Sequence, residues 1–137
     1  MRRTRLGLTT AALAAFGLAL AGAGPAAASG GLLPHPGPDG LVWAEEFRGD
    51  GGLVSGGANT GLPTVLTVAC EGGGSLRATM ESQQAQVADF TVDCPAGSTG
   101  LGSVTMDPGI VRGSFSVGID ASSPEIRWSL AVAQPES

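Results

Sequence analysis

The sequence predicts an all-β chain: an antiparallel β-sandwich of about seven short strands, stapled by one disulfide and preceded by an N-terminal signal peptide. Three observations carry this. Apolar and polar residues alternate with period two along most of the chain after residue 40, the pattern of half-buried strands. Clusters of Gly, Pro, Ser and Asp separate these runs, with no βαβ alternation and no internal repeat. The chain also opens on an export pattern, which sends its two cysteines to an oxidising compartment.

Taken in order, Arg2, Arg3 and Arg5 precede an apolar run from Leu6 to Ala23. Ala26-Ala27-Ala28 then stands ahead of Ser29, an A-x-A cleavage site between Ala28 and Ser29. The run is about long enough to span a bilayer. Its Ala and Gly content, and the small residues that follow at once, favour cleavage over a retained anchor. Residues 1–28 are therefore read as a signal peptide, and the remainder as secreted, with no membrane segment after cleavage; retention at the cell wall stays open. Residues 29–40, SGGLLPHPGPDG, hold three prolines and four glycines, which sustain neither a helix nor a central strand. They are read as a flexible leader to a sandwich domain over residues 41–137.

Leu41 to Phe47 places Leu41, Trp43 and Phe47 on one face, with Glu45 breaking the pattern. Residues 49–63 read as a Gly-rich loop. Thr64 to Cys70 aligns Leu66, Val68 and Cys70; Ser75 to Met80 aligns Leu76, Ala78 and Met80; Val87 to Cys94 aligns Ala88, Phe90, Val92 and Cys94. Gly72-Gly73-Gly74 is expected to turn a hairpin between the first two of these, and residues 81–84 to form a turn. A short run holds Val104 and Met106. Ser114 to Asp120 aligns Phe115, Val117 and Ile119, and Glu125 to Ala133 aligns Ile126, Trp128, Leu130 and Val132 with Glu125, Arg127 and Ser129 opposite.

Cys70 and Cys94 each end a strand on its apolar face. Two cysteines in an oxidising compartment have one internal pairing, closing a loop of about 25 residues; free thiols or an intermolecular bridge are the alternatives. After residue 28 there are 12 acidic residues against four Arg and no Lys, a formal net charge of −8. Such a surface repels phosphate backbones and argues against nucleic-acid partners.

No catalytic, cofactor or metal site is predicted. His35 is the sole histidine and lies between prolines, without the held orientation that acid–base catalysis needs. Ser98 in Ala96-Gly97-Ser98-Thr99-Gly100 approaches a nucleophile elbow but lacks the following helix and a base. Arg48-Gly49-Asp50 spells an adhesion tripeptide but reads better as a turn. Glu45, Glu46, Asp50, Asp89, Asp93, Asp107 and Asp120 offer hard oxygens for calcium without the spacing of a calcium loop. Trp43 and Trp128 read as core rather than as exposed sugar platforms.

The segments VACEGGGSLRATM (68–80), FTVDCPAG (90–97), GSFSVGID (113–120) and IRWSLAVAQPE (126–136) combine a strand ending in Cys, a Gly-rich turn, a strand ending in Cys-Pro and a closing Trp strand. This resembles small secreted β-sandwich proteins of high-GC Gram-positive bacteria. The resemblance implies an exported sandwich and brings no functional residues. The expected function is a secreted, non-enzymatic domain that binds an extracellular protein or glycan. A secreted protease inhibitor and a small carboxylate-dependent hydrolase are the alternatives.

Overall fold

A computed structural model describes residues 32–136; the signal-peptide reading of residues 1–28, with its Ala28–Ser29 cleavage point, lies outside the described residues. Eight strands follow a three-residue 3₁₀ turn at Gly37–Asp39: β1 (Gly40–Arg48), β2 (Gly51–Ala58), β3 (Thr64–Glu71), β4 (Gly74–Ser82), β5 (Ala85–Cys94), β6 (Gly100–Met106), β7 (Gly113–Ala121) and β8 (Arg127–Ala133). They form two four-stranded antiparallel sheets, ordered β1-β8-β3-β6 and β2-β7-β4-β5. Only β4 and β5 are joined as a hairpin; every other connection passes from one sheet to the other. This strand order is that of a double-sheet jelly roll. Among the described residues, no helix is long and apolar enough to cross a membrane.

The alternation read from the sequence becomes the core. Leu66 and Val68 of β3 and Trp128, Leu130 and Val132 of β8 face Leu76, Ala78 and Met80 of β4 and Phe115, Val117 and Ile119 of β7, and all are buried. Full burial of each larger side chain contributes about 1.5–3 kcal/mol. Cys70 at the end of β3 and Cys94 at the end of β5 are bridged, with Cα atoms 5.1 Å apart. The bridge joins the two sheets where they converge, well inside the roughly 10 Å at which packed sheets usually stand.

Several expectations are corrected. The eighth strand, β2, lies within the segment expected as a loop. Its sequence, GGLVSGGA, is a poor strand former by composition. It forms because it pairs with β7 from Gly51↔Ile119 to Ser55↔Phe115 and because Gly51 must be small: a Cβ there would stand 2.9 Å from the Trp128 ring. The Gly72–Gly74 turn is not a hairpin but a corner between sheets, held by Gly72 N–H and Gly73 N–H donating to the carbonyls of Pro95 and Cys94. The hairpin turn falls at Gln83 and Gln84, both at positive φ (53° and 66°).

Over its described part the leader packs on the first sheet. Leu33 is buried against Ala69 and Ala131 on the outer face of the first sheet, and Trp43 packs beside it, donating from Nε1 to the Leu33 carbonyl at 3.3 Å. Asp39 accepts from Gln134 N–H at 2.9 Å through its carbonyl. Trp43 therefore faces outward, opposite to its expected side: Val42 pairs with Val132 and Ala44 with Leu130, so these take the inner positions. Gln134, almost fully buried, closes the far end. It accepts from Asn59 N–H and donates to the Asn59 carbonyl and Thr64 Oγ1, at 2.8–3.0 Å.

Candidate functional site

The sandwich has two long sides, and they differ. On one, β5 and β6 close on each other. On the other, the edge strands β1 and β2 part around an open groove of about 460 Å³, lined by Val42, Ala44, Phe47, Leu53 and Trp128 with Glu45 and Glu46. That volume lies within the range of small-ligand sites.

A bulge in β1 builds the groove. Between the pairs Ala44↔Leu130 and Phe47↔Trp128, β1 advances three residues while β8 advances two. The extra residue breaks the period-two parity, so Ala44 and Phe47 both turn inward and Glu45 and Glu46 arrive at the rim. The interruption at Glu45, visible in the sequence, marks this bulge. The Ala44 carbonyl accepts a hydrogen bond from Ser129 Oγ at 2.7 Å. That bond explains why Ser129, expected to point to solvent, is fully buried.

The groove floor is aromatic. Trp128 is 2 % exposed, and its Nε1 donates to the Gly49 carbonyl at 2.7 Å, which fixes the indole. Phe47 stacks on it, with ring centroids 5.3 Å apart and planes at 28°, yet remains 55 % exposed. At the rim, Glu46 is bound by Arg127 at 3.0 Å, and Arg127 also bridges to Glu71. Glu45 is exposed and has no hydrogen-bond or ion-pair partner among the described residues. The groove thus offers apolar contact and an exposed carboxylate that pairs with no cation among the described residues. It presents no nucleophile with an adjacent base.

The other singled-out residues do not converge on it. His35 lies across from Trp43, ring centroids 5.0 Å apart edge to face, and its Nδ1 accepts from Gly37 N–H at 2.9 Å. Ser98 is exposed in the β5–β6 turn and has no histidine or carboxylate partner among the described residues. Arg48-Gly49-Asp50 is the tight corner from β1 to β2: Gly49 is buried, and Asp50 Oδ1 accepts from Ala121 N–H at 2.8 Å. The Asp50 carboxylate is thereby engaged within the fold.

Asp89 takes a two-pronged hydrogen bond from Arg77, at 2.8 and 2.6 Å. That bond holds its carboxyl below the ordinary carboxylate value and raises the Arg77 guanidinium. Asp93 on β5, Asp107 just past β6 and Asp120 on β7 are exposed. Among the described residues, no three His, Cys, Asp or Glu side chains gather as metal ligands would. Comparison of the chain with protein-family models, with curated proteins and with solved structures finds no match.

Proposed function

We propose that this chain is a secreted, non-enzymatic binding domain and that the groove between β1 and β2 is where it takes an extracellular partner. The observation that supports this most is the half-exposed Phe47 stacked on a buried, oriented Trp128 beside Glu45, which has no ion-pair partner among the described residues. An aromatic left so exposed next to a concave apolar lining is how recognition sites look, whereas isolated surface apolar residues carry no such meaning. The disulfide between the sheets fits an oxidising compartment, and the export pattern of residues 1–28 supplies the route there.

The test has two parts. The full chain is expressed with its own N-terminus in a bacterial host; secretion predicts recovery from the medium with Ser29 as the first residue. The recovered protein and its Phe47→Ser variant are then passed over chitin, cellulose, cell-wall glycan and immobilised extracellular proteins. Retention of the wild type, lost in the variant, is the expected result. Equal behaviour of the two on every support rejects the groove.

A further inference from the structure

Resting on that groove reading, we propose that the occupant is an extended segment of a partner protein, carrying a large apolar side chain flanked by Lys or Arg, which adds as a strand to the free edge of β2. Three observations converge on this.

The first is the edge itself. Exposed sheet edges are ordinarily guarded by charge, proline or bulges. β1 is guarded in this way, with two register shifts and with Glu45, Glu46 and Arg48 along it. β6 is uncharged, and its inner face packs tightly on β5: a Cβ at Gly102 would stand 2.6 Å from Val92 Cγ2. β2 is less guarded: it carries no charged residue and no proline, runs in regular register from Gly51 to Ser55 before its one register shift, between Ser55 and Ala58, and leaves Val54 80 % exposed. An edge strand turns the N–H and C=O of every second residue outward, a template for a further strand.

The second is direction. Leu53 pairs with Val117 and points inward from β2 into the groove. A strand laid beside β2 would send alternate side chains the same way, onto Phe47 and Trp128.

The third is charge. The groove's only charged side chains are Glu45 and Glu46; Arg127, shared with Glu71, pairs with Glu46 and not with Glu45. An apolar side chain with a neighbouring cation fills this set. A polyhydroxylated sugar would find only the Glu45 and Glu46 carboxylates as polar side chains on a lining otherwise of Val, Ala, Phe, Leu and Trp.

The experiment uses the exported full chain and eight-residue peptides that alternate Phe or Leu with Thr, capped at both ends by Lys or by Glu. Binding is followed by tryptophan fluorescence and by backbone amide shifts. The Lys-capped peptides are expected to bind at least tenfold more tightly than the Glu-capped ones, with the ratio reduced in Glu45→Gln. Methylating alternate peptide amides in one phase abolishes binding, and in the other phase spares it, because only every second N–H meets β2. Equal affinity for both caps, equal effects of the two methylation phases, or no peptide binding overturns the proposal. Retention on chitin or cell-wall glycan without peptide binding, lost in Phe47→Ser, overturns the peptide assignment and leaves the groove standing. Indifference of every probe to Phe47→Ser overturns both.

Discussion

Along one long side of the sandwich, β5 and β6 approach until Gly102 lies under Val92 and Phe90, and the Cys70–Cys94 bridge ties the sheets together. Along the other, β1 and β2 stand apart, and a stacked Phe47–Trp128 pair occupies the gap between them. Both sides join strands of opposite sheets through short connections. The difference lies in residue size and parity. Inward positions on β6 opposite Cys70 and Val68 are Gly100 and Gly102, so the backbones can meet. On β1 a bulge turns the large Phe47 inward and sets two carboxylates at the edge. Closure thus follows from missing side chains, and opening from an inserted residue.

The largest effect is expected from cutting the staple of the closed side. Replacing Cys70 and Cys94 with Ala should cost about 3 kcal/mol, the loop-closure entropy of a 25-residue loop. Urea unfolding measures this, and a loss near zero would mean that packing alone holds the closed side. The next test places comparable changes on both sides. Gly102→Val adds bulk where Val92 and Phe90 leave none, and should cost about 1–3 kcal/mol. Leu53→Ala removes a half-buried side chain from the open side. It should cost about 1 kcal/mol, below the roughly 2–5 kcal/mol of a fully buried site. If Leu53→Ala proves the costlier, the groove is part of the core and the contrast between the sides collapses.

The closed side was legible in the sequence and the open side was not. Period-two alternation named the inner faces of β3, β4, β5, β7 and β8, and both cysteines, because these strands are uninterrupted over their apolar stretches. On β1, the same rule applied across a bulge gave the wrong face to Trp43, since one added residue reverses every assignment beyond it. β2 escaped because its glycines lower strand propensity, while Gly51 and Gly52 answer to close tertiary approach, to the Trp128 ring and to the Val117 carbonyl. Which strands pair is not written in local pattern at all. The corner at Gly72–Gly74 carries the turn chemistry of a hairpin, and only the tertiary contacts with Pro95 and Cys94 send it to the opposite sheet. The pattern puts Phe47 on one face with Trp43, whereas the bulge turns Phe47 inward and leaves it half-exposed in the groove.

A smaller effect should link the bulge to the groove. Ser129→Ala leaves the Ala44 carbonyl without its buried donor, at a cost of about 1 kcal/mol. Because that bond pins the bulge carrying Glu45 and Glu46, the variant should also lower affinity for the groove ligand more than a matched substitution elsewhere in the sheet, such as Thr67→Ala. Calorimetric titration of the two variants separates a positioning role from a purely structural one. Equal affinities would show that the rim carboxylates need no such support.

The smallest effect lies on the outer face of the second sheet, where Arg77 of β4 grips Asp89 of β5. Both groups are solvent-exposed, so screening keeps the contribution slight. Its pH dependence nevertheless has a definite sign. The hydrogen bond to Arg77 lowers the Asp89 carboxyl below its ordinary value of 3.8, so folding favours the ionised form. The stabilisation is complete above that value and is lost as the pH falls through the lower native one. Asp89→Asn should therefore melt slightly below the wild type at neutral pH. The gap should close in acid below 3.8 and shrink in molar salt. A gap that persists in acid would mean that Asp89 acts through packing of the β4–β5 hairpin. Charge on the closed side would then matter even less than Gly102 and the disulfide imply.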